Sequence, residues 1–336
     1  MLVLYNSFCA SVRPDFRKPQ PMTSPTSPLL DQAQARWTAL GTATPDLAPA
    51  IALQRALVNR TIETVDRLQQ LDKPVLELEP GLAATKLRAS TPALRGEVLE
   101  LPVDLLGPLV FQACDDLASG GAGEVAQRVR NCLDAGRIDI SSLLTASFER
   151  NQAAIRVKAT HEGIAPDVLW LAAELAVGPA AHVAQQTVFA PRGEQLASTL
   201  TGALDAWPHG YCPACGSWPA FAEDLDAVSF LRCSFCGLQW HLNFAGCTYC
   251  GNDPAQLSSA SIATGSPHRA QLCRGCGAYL KRLTVTSPTP FELLPIEDLA
   301  STDLDILAAE QGFGRPSLPD LDGPERYPCE NVKSTR

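Results

Sequence analysis

Four Cys-x-x-Cys-Gly knuckles stand close together in this chain: Cys212/Cys215/Gly216, Cys233/Cys236/Gly237, Cys247/Cys250/Gly251 and Cys273/Cys276/Gly277. Two thiolates separated by two residues reach one metal ion only if the backbone turns tightly beneath it, and a following glycine supplies the positive φ of that turn. The turn's amides can then point at the sulfurs and disperse their charge. Four sulfurs complete a tetrahedral site, so eight cysteines predict two sites. Sequential pairing puts Cys212, Cys215, Cys233 and Cys236 around one ion and Cys247, Cys250, Cys273 and Cys276 around the other. A cross-braced arrangement, with the first and third pairs sharing an ion, also satisfies the spacing.

Sites saturated by protein sulfur leave no position for water, which argues against metal-assisted hydrolysis and for a structural or electron-transfer ion. Four sulfurs suit zinc or a rubredoxin-like single iron, and ligand identity does not separate the two. Small ribbons take much of their folding energy from the ion, so the residues alone favour structural metal. His209 and His241 flank the knuckles and could replace a sulfur, but with eight cysteines they are not needed as ligands. Of the 12 cysteines, Cys9, Cys114, Cys132 and Cys329 stand alone. Cys114 and Cys132 lie in apolar helical patterns and read as small buried hydrophobes. Paired, clustered cysteines are the mark of a reducing compartment. The richest apolar stretch, 168–177, is short for a membrane span and contains Glu174, and residues 1–10 lack the basic region of a signal peptide. The expected location is the cytoplasm.

The expected fold class is α+β and multidomain: an N-terminal all-α helical domain followed by two small rubredoxin-like, zinc-ribbon subdomains. Residues 1–34, rich in Pro, Ser and Thr, read as a disordered leader in which Met22 is a candidate start. Residues 35–206 carry a helical period, with Leu47, Ile51, Leu57, Ile62, Val65, Leu68 and Leu71 three to six residues apart. Thr44-Pro45 fits a helix start that Pro49 would shift by a turn. Further helices are expected over 103–117, 124–133, 140–159, 166–177 and 179–206, with Gly178-Pro179 stopping one and starting the next. Past Trp207 the period vanishes and short β-prone pieces appear at 217–221, 228–233 and 278–285. The ribbons are assigned to 207–244 and 245–290. A C-terminal segment, 291–336, holds one helix over 301–311 and a loose tail from Arg315.

Neither a Walker loop, G-x-G-x-x-G, G-x-S-x-G nor H-E-x-x-H occurs, and Ser119 to Gly123 read as a flexible loop without the lysine of a phosphate site. Asp115/Asp116 and Glu223/Asp224 read as solvated faces. Arg269, Arg274, Lys281 and Arg282, with Tyr279 beside them, form a basic cluster that would suit nucleic acid or an acidic protein surface. The net charge of -9 favours a protein partner over nucleic acid. A non-enzymatic binding role is the main reading. A nucleic-acid-binding zinc ribbon and a thiol-disulfide oxidoreductase using its Cys-x-x-Cys pairs are the rivals.

The C-terminal half resembles the formate dehydrogenase accessory protein family, FdhE. The motifs are Cys212-Pro213-Ala214-Cys215-Gly216-Ser217-Trp218-Pro219, then Leu231-Arg232-Cys233 through Cys236 to Trp240. Cys247-Thr248-Tyr249-Cys250-Gly251 and Cys273 through Cys276 to Tyr279-Leu280-Lys281 follow, with Asp298-Leu299-Ala300, Leu304-Asp305 and Glu310-Gln311-Gly312 beyond. The chain departs from the family at Gln271 and Arg274, where acidic residues are expected in relatives. The resemblance implies a cytoplasmic chaperone that binds the molybdenum-containing catalytic subunit of formate dehydrogenase before twin-arginine export. It also implies two rubredoxin-like subdomains and iron in preference to zinc. A homodimer is left open.

Overall fold

A computed structural model of the chain describes residues 26–190, 194–226 and 228–319, with the side chains at 26–27 and 194–197 left out. Cys9, Met22 and Cys329 lie outside the described residues. The helices are α1 (Thr26–Ala43), α2 (Ala48–Gln69), α3 (Pro80–Arg88), α4 (Val103–Leu117), α5 (Gly123–Asp134), α6 (Ile140–Phe148), α7 (Gln152–Glu162), α8 (Pro166–Phe189) and α9 (Glu194–Asp205). Strands β1 (Pro219–Leu225), β2 (Val228–Cys233), β3 (Gln239–Trp240), β4 (Leu257–Ala260), β5 (Arg269–Cys273) and β6 (Tyr279–Thr284) follow, then α10 (Leu294–Ala300) and α11 (Thr302–Glu310).

Helix α8 organises the helical part, packing against α2, α4, α6 and α7. It runs unbroken through Gly178-Pro179, where a stop was expected. Proline removes one backbone donor and usually kinks a helix. Here both residues are buried, and Gly178 faces the Phe235 carbonyl of the second knuckle. The apolar run is therefore longer than the sequence pattern suggested. By length and composition alone α8 could cross a membrane, but 72% of its most apolar window is buried inside this fold.

A single helix was expected over 140–159, and two are found. Arg150 takes a φ of 59°, ending α6, and Asn151 restarts the chain by accepting the amide of Ala154 at 3.0 Å. Asp139 caps α6 in the same way, 2.7 Å from the Ser142 amide. Pro45 to Leu47 form a 3-10 turn before α2, whose first turn holds Pro49. Leu71, placed on the apolar stripe by sequence, lies beyond the end of α2 and is exposed. The α4–α5 link, Ala118–Ala122, kinks at Gly121, whose φ is 120°, and Gly120 sits against Leu53.

Part of the expected disordered leader is helical. α1 begins at Thr26 and buries Ala33 and Trp37 against Ile51, Val58 and Ile62 of α2 and Leu293 and Ile296 near α10. Helix α10 thus packs on α1 and α2.

The two ribbons join in one six-stranded sheet of order β3-β2-β1-β6-β5-β4. Each ribbon contributes an antiparallel set, and β1 and β6 pair in parallel, with Ala222 opposite Arg282 and Asp224 opposite Thr284. One apolar core runs from the helices into the first ribbon, taking in Trp207, Leu231 and Trp240. A smaller one, including Phe221, Leu272, Leu283, Leu304 and Ala308, lies between the sheet and α11. The tail expected to be loose from Arg315 is anchored at its start: Arg315 pairs with Asp298 at 2.6 Å, and Trp218 Nε1 donates to the Ser317 carbonyl at 2.6 Å.

Candidate metal centres

Each knuckle closes in the same way. The amide of its first cysteine donates to the carbonyl five residues on, from Cys212 to Ser217, Cys233 to Leu238, Cys247 to Asn252 and Cys273 to Ala278, at 2.8 to 2.9 Å. The glycine after the second cysteine takes a φ of 82°, 73°, 69° and 70° in turn. Side chains rarely tolerate that region, and glycine enters it freely. In the second knuckle the amides of Phe235 and Cys236 both point at Cys233 Sγ at 3.4 Å, and in the third the Tyr249 amide points at Cys247 Sγ at 3.4 Å.

The sulfurs gather sequentially: Cys212, Cys215, Cys233 and Cys236 in one cluster, Cys247, Cys250, Cys273 and Cys276 in the other, with all four sulfurs of each within 4.8 Å of one another. The fold does not use the cross-braced arrangement. Cys212 to Cys236 is 3.6 Å and Cys215 to Cys233 3.4 Å; in the second cluster Cys247 to Cys276 is 3.8 Å and Cys250 to Cys273 3.7 Å. A disulfide would hold its sulfurs at ~2.05 Å. A tetrahedral ion with ~2.3 Å bonds to sulfur sets them ~3.8 Å apart, so both clusters fit a four-sulfur metal ion.

The clusters differ in their surroundings. All four cysteines of the first are buried, whereas in the second Cys250 is half-buried and Cys276 exposed. Burial pushes the Cys212 and Cys236 thiols well above their ordinary range. Cys215 resists the same burial and is held well below that range by hydrogen bonds from Cys212, Cys233 and Cys236 and by the Arg150 guanidinium. The helices supply that cation. Arg150 lies between the Trp170 ring, 4.6 Å from its centroid, and the Phe235 ring at 4.0 Å, and donates to Glu174 at 2.8 Å.

Other contacts bind the helices to the first cluster. The amides of Ala93 and Leu94 donate to the carbonyls of Pro213 and Ala214 at 2.8 and 2.9 Å. His182 of α8 places Nδ1 2.9 Å from the Cys236 carbonyl and stacks on Phe291 at 4.1 Å. Burial depresses its pKa to about 4, so the imidazole is neutral. His209 and His241 belong to neither cluster: His209 stacks on Tyr211 at 4.7 Å, and His241 Nδ1 lies 3.1 Å from the Ser229 carbonyl.

No protein-family model matches this chain. Curated relatives do. An FdhE homologue of Aquifex aeolicus is 33% identical over 115 residues, 32% of this chain and 40% of the relative. One from Pseudomonas putida is 36% identical over 115 residues, covering 31% and 36%. One from Pectobacterium carotovorum is 33% identical over 132 residues, covering 37% and 42%. The chain thus matches about two fifths of these relatives' length. The crystal structure of the FdhE protein from Pseudomonas aeruginosa superposes with a TM-score of 0.54 at 22% identity, covering 89% of this chain and 97% of that one, which shows a shared fold. The matched segment is similar to FdhE homologues, and the chain shares the FdhE fold.

In this chain the expected basic cluster is not a free surface. Lys281 is fully buried, with Nζ 2.7 Å from Asp298 and 2.9 Å from Asp305. Arg269 and Arg282 both pair with Asp224, at 2.7 and 2.5 Å. Arg274 is exposed, and Arg269 and Arg282 are half-buried. Glu223, read from sequence as solvated, is buried against Arg232 at 2.6 Å. The two also hold Thr289: its amide donates to Glu223 at 3.0 Å, and its carbonyl accepts from Arg232 at 2.6 Å. A buried charge needs such partners, and the sequence offers no local sign of them. Arg150 and His182, both beside the first cluster, were missed for the same reason.

Proposed function

We propose that this chain is a formate dehydrogenase accessory protein that acts by binding and not by turnover, with one metal ion in each four-cysteine cluster. The observation that carries the reading is that each cluster is completed by four sulfurs of the chain itself at tetrahedral spacing. Such a set leaves no coordination position for a hydrolytic water. The similarity to FdhE homologues supports the biological context. Cys212, Cys215, Cys233 and Cys236 hold the first ion; Cys247, Cys250, Cys273 and Cys276 hold the second. The resemblance favours iron, and zinc fits the same ligands.

The partner in this reading is the molybdenum-containing catalytic subunit of formate dehydrogenase, bound in the cytoplasm before twin-arginine export. Ion pairing of Lys281, Arg269 and Arg282 within the fold supports a protein partner over nucleic acid. Deleting the gene tests the role: formate dehydrogenase activity should be lost while the catalytic subunit's transcript persists, and restored by the wild-type chain. Unchanged activity would contradict it. Co-purification of the full chain with the catalytic subunit tests the partner, and its absence from cells competent for export counts against that choice.

A further inference from the structure

The two clusters are unequally enclosed, and the inequality is specific to particular elements. The first is sealed from the helical side by the Ala93 and Leu94 amides on Pro213 and Ala214, by His182 on the Cys236 carbonyl and by Arg150 over Phe235. Gly178 brings the backbone of α8 up to the Phe235 carbonyl. Its four cysteines are 0 to 4% exposed. To reach that ion, a ligand must part the ribbon from α8.

Among the described residues, the second cluster has no such cover on its last knuckle. Arg274, Gly275, Cys276 and Gly277 form a continuous exposed run, while Cys247 and Cys273 behind them are buried. The knuckle is held from within the sheet domain, by the Arg274 amide on the Gln256 carbonyl at 3.0 Å and by Gly277, whose carbonyl accepts from the Gly314 amide at 2.9 Å. Cys276 can therefore swing out without disturbing the helices.

We propose that the second site is the exchangeable one: its metal is captured and released by substitution at Cys276, while the first ion is locked in until the fold opens. In the exchange step an incoming thiol, from a small chelator or a partner's cysteine, forms a sulfur–metal bond as the bond to Cys276 Sγ breaks. The incoming thiol's proton passes to the departing Cys276 sulfur, so charge is conserved. This rests on the reading that both clusters hold metal. Local opening at an exposed turn costs less than global opening, so the two ions should differ in lability by at least ~10-fold in rate.

The test loads the full chain anaerobically with zinc and first counts the ions. A chain that takes up none overturns the metal reading and this proposal with it, before any exchange is measured. With two ions bound, a colorimetric zinc chelator should release them in two phases of equal amplitude. Iodoacetamide present during the fast phase should label Cys276 and Cys250 and spare Cys212, Cys215, Cys233 and Cys236, as read by peptide mass spectrometry. Cys276→Ser should keep one slowly released ion. A single release phase for both ions, first labelling at the buried cluster, or loss of both ions in Cys276→Ser would each overturn the proposal while leaving the metal reading intact.

Discussion

The guanidinium of Arg150 lies 4.0 Å from the centroid of the Phe235 ring, which places a buried cation of the helical region against the knuckle that carries Cys233 and Cys236. Four thiolates around a divalent ion leave net negative charge in a water-poor setting, where a nearby cation is worth more than it would be in water. Desolvated cation–π contacts contribute about 2 kcal/mol. Arg150→Ala should therefore destabilise the chain by about 2 kcal/mol or more and speed loss of the first ion, with the second unaffected. Lysine keeps the charge without the planar stacking and should fall between. Denaturant melts and metal retention measure both effects.

The Glu223–Arg232 pair is buried on both sides, with side chains 1% and 5% exposed. Removing one partner strands the other charge, which typically costs about 3–5 kcal/mol. Glu223→Ala should show a loss of that size in chemical denaturation and free the Thr289 segment, seen as faster amide exchange there. A shift below ~1 kcal/mol, the value of a surface pair, would contradict the burial.

An ideal Cβ on Gly210 would lie 1.7 Å from the Thr248 carbonyl, whereas one on Gly251 meets nothing within 4 Å. Gly251→Ala should cost only the left-handed backbone penalty of about 1–2 kcal/mol. Gly210→Ala must push the chain before the first knuckle off the third, because the obstacle is backbone. It should cost more than Gly251→Ala and lower metal content; equal melting of the two variants would refute the close approach.

Lys281 is enclosed by Asp298 and Asp305, so it holds α11 to the sheet and does not present a charge to solvent. Lys281→Ala should lower stability by about 1–3 kcal/mol, because both acids are partly exposed and keep Arg315 as a partner. The wild-type chain should give no mobility shift with single- or double-stranded oligonucleotides at physiological ionic strength. A shift that weakens steeply with salt would revive a nucleic-acid role.

The knuckles were legible in the sequence because their geometry is local: each closes through a bond spanning five residues and one glycine of positive φ. The helical pattern was legible too, down to the ends of α4. What failed depended on distant partners. Gly178-Pro179 carries every local mark of a helix stop, yet α8 runs through it with both residues buried by neighbouring elements. Glu223 reads as a surface acid until Thr289 arrives from 66 positions away. The joining of β1 to β6 in parallel, which turns two ribbons into one sheet, leaves no mark in either strand alone.

The most direct test of the account is metal analysis, with thiol titration, of the protein purified without oxygen. It predicts two iron or zinc ions per chain and eight cysteines protected until the ions are removed; iron would also show the red absorption of a ferric thiolate site. A chain with no bound metal and eight freely reactive thiols, or with its Cys-x-x-Cys pairs joined as disulfides, would contradict it.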